Sequence, residues 1–108
     1  MKWTISYYNE SVEDTVLALP SGLRGRYFRL IDLMIDNGAN LGGNRTKHIE
    51  SDLFELRIRG KEGIARVMYC TMVDKKIVML HCFTKKTQKT PKKDLNIARN
   101  RLKEVKSK

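Results

Sequence analysis

The chain has 108 residues, enough for one domain with a single modest hydrophobic core. Hydrophobic residues make up 41% of it, which excludes a chain that is disordered throughout. The net charge of +10 favours a phosphate-rich partner, the alternative being a merely soluble basic protein. Residues 85–108 hold ten Lys and Arg against two acids, so nearly all of the net charge lies in the last quarter. We therefore expect a polyanion to be held at a defined place on a folded surface.

The first half of the chain predicts one strand followed by two helices. Residues 2–8 are aromatic and β-branched, as in a strand. A helix N-cap spacing begins at Ser11, and the short helix that follows is expected to run to Leu19. From Leu23 onward apolar residues recur at helical spacing, so a second helix is expected to end at Asn37-Gly38.

The second half predicts three strands and a last helix. A loop rich in glycine and asparagine, residues 39–45, has no periodicity, whereas apolar and charged residues alternate over residues 54–59. Two further apolar strands, residues 64–73 and 77–83, follow short turns, which indicates an antiparallel meander. Pro91 opens the final helix. The order β-α-α-β-β-β-α predicts an α+β fold, with a helix pair and a C-terminal helix packed on a mainly antiparallel sheet.

The cysteines and histidines give no sign of a metal site. Cys70 and Cys82 lie in apolar runs, so we expect buried, reduced thiols. His48 and His81 have no neighbouring ligands at useful spacing. The N-terminus lacks the pattern of a signal peptide, and no apolar run approaches the ~18 residues of a membrane span. We therefore expect a cytoplasmic protein that does not bind a membrane.

Lysine and arginine side chains can cleave RNA without a metal ion. The 2′-hydroxyl must lose a proton, the phosphorane must be stabilised, and the 5′-oxygen must gain a proton. Arginine suits the second task because its planar guanidinium binds two phosphate oxygens at once. Lysine acts as a base only where burial or neighbouring cations depress its pKa. A cluster of such residues without a positioned base would only bind.

Several arginines are candidates for such a site. Arg57 and Arg59 share one face of a strand, where the alternative is a solvated face paired with Glu55. Arg66 lies inside an apolar central strand, where a charge is costly unless it lines a cleft or is paired, and Glu55 is again the possible partner. Strand alternation predicts that Tyr69 faces away from Arg66, into the core.

Lysines and histidines are weaker candidates. Lys85 and Lys86 end the last strand, where adjacent cations favour phosphate contact and a lowered pKa, unless they belong to a solvated loop. His81 lies in an apolar strand and is expected to be a hydrogen-bonded core histidine rather than a catalytic one. His48, with Lys47, precedes a strand on a loop, from which it reaches substrate or has no role.

Three segments resemble the RelE/HigB superfamily, and within it the phage-derived HigB-like toxin group. The resemblance covers essentially the whole chain in the same order of elements, and it implies a RelE-like fold in one domain, residues 1–108. The stretch from Phe83 to Pro91, followed by Ile97-Ala98-Arg99, is its specific part. The segments are Leu53-Phe54-Glu55-Leu56-Arg57, Arg66-Val67-Met68-Tyr69 and Leu80-His81-Cys82-Phe83-Thr84-Lys85-Lys86-Thr87-Gln88-Lys89-Thr90-Pro91.

The resemblance implies a type II toxin, an endoribonuclease that cleaves mRNA in the ribosomal A site by attack of the 2′-hydroxyl, without metal or another cofactor. It also implies a cognate antitoxin, usually a small helix-turn-helix protein. By position, Arg66 would be the phosphate clamp, and Arg57, Lys85 and Lys86 would complete the catalytic set. Some relatives carry a catalytic Tyr or His near the C-terminus, and this chain has neither after His81, so the general acid and base stay open. The expected RNA contacts are Arg59, Lys47, His48, Lys89 and Arg99.

Two other functions stay open from the sequence. One is a non-catalytic basic module that docks on RNA or on the ribosome. The other is a toxin fold that has lost its activity. The cation inside a central strand favours the enzyme, because binding that ignores sequence does not require a charge at such a position.

Overall fold

The computed structural model describes residues 2–85 and 89–107. The predicted fold class is confirmed: the chain is α+β, with one further strand that the sequence did not predict. In chain order the elements are β1 Thr4–Tyr7, α1 Glu10–Leu17, α2 Ser21–Asn37, β2 Thr46–Glu50, β3 Leu53–Gly60, β4 Gly63–Met72, β5 Lys76–Lys85 and α3 Lys92–Lys106.

The described strands form one five-stranded sheet in the order β1-β5-β4-β3-β2. Strands β2 to β5 make the expected antiparallel meander, and β1 joins it parallel to β5. Strand β2 was missed because its sequence, Thr-Lys-His-Ile-Glu, is mostly polar and mostly exposed, as is typical of an edge strand. Thr46 anchors its start, since its buried hydroxyl accepts hydrogen bonds from the Leu41 and Gly42 amides.

The helix pair α1 and α2 covers one face of the sheet and encloses the main core. Leu23, Tyr27, Ile31 and Met34 recur at helical spacing and are buried, which fixes the face that α2 turns to the sheet. Tyr69 lies on this side, as predicted, and its hydroxyl donates a hydrogen bond to the Ala39 carbonyl. This face is therefore a continuous apolar layer.

The start of α1 differs from the prediction. Asn9, not Ser11, is the N-cap, and its side-chain oxygen accepts a hydrogen bond from the Val12 amide at 2.9 Å. The helix also ends at Leu17 rather than Leu19. Asparagine is as strong an N-cap as serine, so local sequence alone does not decide between the two positions.

Helix α2 begins at Ser21, two residues before the predicted Leu23, and ends as predicted before Gly38. Its N-cap residue is a proline whose side chain accepts no hydrogen bond. The cap comes from elsewhere in the fold: Glu62, in the turn between β3 and β4, accepts a hydrogen bond from the Gly22 amide at 2.9 Å. A Cβ atom on Gly22 would lie 2.3 Å from a Glu62 carboxylate oxygen, so a larger residue there would displace that carboxylate. The turn thus caps the helix across the fold.

Helix α3 packs on the other face of the sheet but covers only part of it. Ala98 is its buried residue, against a small apolar cluster that includes Met68, Cys70 and Leu80. Polar contacts supply much of the attachment. These are the ion pairs Arg99–Glu50 at 2.6 Å and Lys106–Asp52 at 3.0 Å, and the hydrogen bond between His81 and Asp94 at 2.7 Å.

Both cysteines are buried free thiols, as predicted. Burial raises the pKa of Cys70 to about 11 and that of Cys82 to about 12, so both are protonated near neutral pH. Among the described residues, no helix has the length and apolar character needed to cross a membrane.

Candidate active site

Charged side chains collect on the part of the sheet that α3 leaves uncovered. The register of the strands brings them together: Arg57 lies directly opposite Arg66, and Lys85 is paired with Ile64, two residues before Arg66. Because side chains two residues apart share a face, these charges all point to the side of α3. We call Arg57, Arg59, Arg66 and Lys85 the cationic cluster.

A β-bulge in β5 contributes to this arrangement. Met68 pairs with His81 but Tyr69 pairs with Met79, so Leu80 is an extra residue in the ladder. Leu80 and His81 consequently both face α3. The alternation restarts after the bulge, and that shift places the Lys85 side chain on the same face as Arg66.

Glu55 is the counter-ion at the centre of the cationic cluster. Its carboxylate is 1% exposed, and its Oε1 lies 3.2 Å from the Arg66 Nε and 3.4 Å from the Arg57 Nε. Its Oε2 accepts a hydrogen bond from the Thr90 hydroxyl at 2.5 Å. Like charges directly opposite each other destabilise a sheet, and this carboxylate offsets the repulsion between the two arginines. The ion pair considered from the sequence is therefore present.

Arg66 lies at the bottom of a recess. Its side chain is 2% exposed, and one Nη donates to the Ala65 carbonyl at 3.3 Å. Its buried Nε is within ion-pair distance of Glu55 but donates no well-aligned hydrogen bond within the described part of the chain. A pocket of about 150 Å³ opens onto it, lined by Asn44, Arg57, Arg59 and Arg66. Burial lowers the pKa of Arg66 and Glu55 opposes that shift, but a guanidinium stays charged in proteins. The recess is suited to an anion.

Lys85 is the residue of the cluster best suited to exchange a proton. It is 8% exposed although it carries an ammonium group. Its pKa is lowered, first by burial and then by the charge of Arg66, with smaller effects of Arg57 and Lys47, while Glu55 acts in the opposite direction. A larger fraction of neutral amine is thus accessible near physiological pH than for a solvated lysine.

The strand β2 separates two residues that the sequence grouped together. Lys47 lies opposite Glu55, on the side of the cationic cluster. His48 lies opposite Phe54, on the other side of the sheet. The two rings pack in a T-shaped arrangement with their centroids 5.1 Å apart. The His48 Nε2 is 2.6 Å from the Ser51 carbonyl oxygen. The structure therefore brings Lys47 to the cluster and does not bring His48 there.

Of the remaining candidates, Arg99 lies in α3 and His81 in β5. Lys86 is outside the described residues. Lys89, which the structure describes, is exposed. Arg99 forms a bidentate ion pair with Glu50, with N–O distances of 2.6 and 3.1 Å, at the far end of β2 from the cluster. Its guanidinium holds α3 against the sheet. His81 is half-buried and hydrogen-bonded to Asp94, as expected of a satisfied histidine.

Sequence reasoning missed two parts of the site. One is Thr90, whose contact with Glu55 spans 35 residues and leaves no local signal. The other is a larger pocket of about 320 Å³ beside the cluster, between α2 and β3. Its helical arginines, Arg26 and Arg29, lie between the apolar positions of α2, where a charged residue gives no local signal of a site. No three His, Cys, Asp or Glu side chains within residues 2–85 and 89–107 converge as metal ligands would.

The fold and the cluster define a small α+β protein with a basic recess at one end of its sheet. The family model described as "Phage derived protein Gp49-like (DUF891)" matches residues 14–103. The chain belongs to the Gp49-like family. A chain of the crystal structure of an archaeal RelE–RelB complex from Pyrococcus horikoshii OT3 has a similar fold, with a TM-score of 0.59 and 22% identity over 78% of this chain and 96% of that chain. The structural match confirms the predicted RelE-like fold. No curated protein matches this chain.

Proposed function

We propose that this protein is the toxin of a type II toxin–antitoxin pair and that it cleaves mRNA on the ribosome. The observation that carries the proposal is the cationic cluster, in which Arg57 and Arg66 are held face to face by a buried carboxylate beside the buried amine of Lys85. Membership of the Gp49-like family and the RelE-like fold support it.

The proposed reaction is transesterification within the RNA strand. The guanidinium groups of Arg57 and Arg66 bind the non-bridging oxygens of one phosphate and stabilise the charge that grows on the phosphorane. Lys85, as a neutral amine, takes the proton of the 2′-hydroxyl. The 2′-oxygen bonds to phosphorus and the bond to the 5′-oxygen breaks, which leaves a 2′,3′-cyclic phosphate. The 5′-oxygen is protonated by solvent or by Lys86.

The test is induced expression followed by primer-extension mapping of cellular mRNA. Wild type is compared with Arg66→Ala Lys85→Ala and with a matched control, Lys76→Ala Lys103→Ala. The control removes two exposed lysines that line none of the pockets described above. We expect cuts within translated messages for wild type and control, and none for the cluster variant.

Other outcomes have definite meanings. Intact messages with normal growth on wild-type induction would favour a binding module or an inactive toxin. Growth arrest with intact messages would mean a different target. Because Arg66 and Lys85 are buried, Arg57→Ala supplies a second variant: its side chain is 29% exposed, so its loss disturbs packing less. Circular dichroism of each purified variant verifies that the fold is retained.

We also propose a cognate antitoxin as the partner. The support is the similar fold of a chain in the RelE–RelB complex, together with the resemblance to toxins that are neutralised by small helix-turn-helix proteins. Co-expression of the product of the adjacent gene is expected to restore growth and to co-purify with this chain. Failure of every neighbouring product to do either would contradict the proposed pairing.

A further inference from the structure

We propose that the pocket between α2 and β3 binds a nucleotide that flanks the scissile bond on the same single RNA strand. This inference rests on the proposed function and assigns a second subsite to it. We call the pocket the arginine groove. It has a volume of about 320 Å³ and is lined by Arg26, Arg29, Leu30, Asn44, Arg45, Arg57, Ile58 and Arg59.

The groove exists because the edge strand stops early. The pairing of β2 with β3 ends where Thr46 lies opposite Leu56, and the Arg57 amide then donates to the Arg45 carbonyl at 2.9 Å. The rest of β3, as far as Gly60, runs beside α2. A Cβ atom on Gly60 would lie 3.4 Å from the Arg26 Nε, so this guanidinium lies close against the strand.

The lining matches a nucleotide in charge and in polarity. Five of its residues are arginines and none is an acid. Arg45 donates one Nη to the Leu41 carbonyl at 2.8 Å, which fixes its side chain at the rim. The apolar part of the lining is formed by Leu30 and Ile58. Guanidinium groups bind phosphates and stack on bases, and an apolar surface accepts the face of an unstacked base.

Continuity with the cationic cluster favours RNA over an acidic protein. Asn44, Arg57 and Arg59 line both the arginine groove and the recess above Arg66. A strand whose phosphate enters the recess therefore has its next nucleotide beside the groove. The volume of the groove is near the lower end of the range of about 300–1,000 Å³ that is typical of small-ligand pockets, which suits one nucleotide and excludes a duplex.

The experiment measures binding apart from cleavage. A fluorescent six-nucleotide strand of 2′-O-methyl RNA, which lacks the attacking hydroxyl, is titrated by polarisation with wild type, with Arg26→Ala Arg29→Ala, and with the control Lys76→Ala Lys103→Ala. We expect the groove variant to bind roughly tenfold or more weakly and to lose about 1–2 units from the slope of log Kd against log salt. The control is expected to bind like wild type, and a duplex of the same sequence to show no comparable loss.

Each contrary result overturns the inference. Equal losses of affinity for single strand and duplex would make the groove a general polyanion surface. Unchanged affinity of the groove variant, or no binding by wild type, would exclude RNA from the groove. If the groove variant keeps its RNA affinity but no longer co-purifies with the antitoxin, the groove belongs to a protein partner. Message mapping separates the two proposals: if wild type cuts messages while the groove variant binds normally, this inference alone fails. If wild type cuts nothing, the proposed function fails, whatever the binding result.

Discussion

The two faces of the sheet differ in the side chains that they bury. On the face covered by α1 and α2, strands β1, β3, β4 and β5 contribute apolar side chains to a continuous core. On the other face α3 covers one end with a small apolar cluster, and at the uncovered end the strands hold Glu55, Arg66 and Lys85 in buried positions. The comparison shows that the same strands build a core with one set of alternate residues and a charged recess with the other. Stability and function are thus divided between the faces.

The covered face is expected to show the largest loss of stability on truncation. Leu56 is fully buried there, and Leu56→Ala is expected to lower the free energy of unfolding by about 2–5 kcal/mol through lost burial and a residual cavity. Urea denaturation measures it, with Phe28→Ala as the control because Phe28 is exposed on α2. Similar losses in the two variants would show that this face does not carry the main core.

The uncovered face is expected to depend on one carboxylate. Glu55→Gln keeps the shape of the side chain but leaves Arg66 and Lys85 buried without their counter-ion. We expect a loss of about 2 kcal/mol, because breaking a buried ion pair strands the remaining charge, and nearly the same loss in high salt, because salt screens buried charges poorly. The measurement is again urea denaturation, at two salt concentrations. Glu10→Gln, at an exposed position in α1, is expected to change stability less. A loss that disappears in high salt would contradict the buried placement of this pair.

The turn between β3 and β4 supports the covered face because Glu62 caps α2. Glu62→Ala removes the acceptor of the Gly22 amide and is expected to cost about 1 kcal/mol, as other N-cap deletions do. The companion variant Lys61→Ala alters the same turn without touching the cap. If both variants unfold at the same urea concentration as wild type, the cap contributes nothing measurable.

The smallest expected effects are shifts in the pKa of Lys85. Lys47→Ala is expected to raise this pKa, since a neighbouring cation is lost, and Glu55→Gln to lower it further. Carbon-13 NMR of the labelled lysine side chain, titrated with pH, measures both directions. Because the folded-state pKa lies below the unfolded value, Lys85 costs stability at low pH, and the free energy of unfolding rises as pH increases through the folded-state pKa. Shifts of the same sign in the two variants would contradict the electrostatic picture.

The amino-acid sequence predicted what depends on local periodicity. It predicted the α+β class, both faces of β3 and β4, and the opposed placement of Arg66 and Tyr69. It placed Glu55 as a possible partner of Arg66 because both residues stand out against apolar neighbours. Polar edge strands carry no such signal, so β2 was missed and His48 was assigned to the wrong environment.

Contacts between distant segments were beyond the sequence. The high charge of the C-terminal quarter indicated a ligand site there, but the guanidinium of Arg99 and the amine of Lys106 are used to attach α3 to Glu50 and Asp52. The arginine groove instead draws its charge from α2 and the edge of the sheet, where Arg26 and Arg29 looked like ordinary surface residues. The number of charged residues in a segment does not show whether they bind a ligand or attach one element of the fold to another.

The bulge at Leu80 sets which residues of β5 face α3 from that point to the end of the strand. Beyond the bulge every second residue, from His81 to Lys85, faces the side of α3, so the position of Lys85 counted from Leu80 decides which side chain joins the cationic cluster. One residue inserted between Cys82 and Phe83 would present Thr84 to Arg66 and turn the Lys85 amine toward the α1 and α2 side, with no side chain changed. In related chains, an insertion or deletion in this strand is therefore expected to change the side chains that face Arg66 as much as a substitution does.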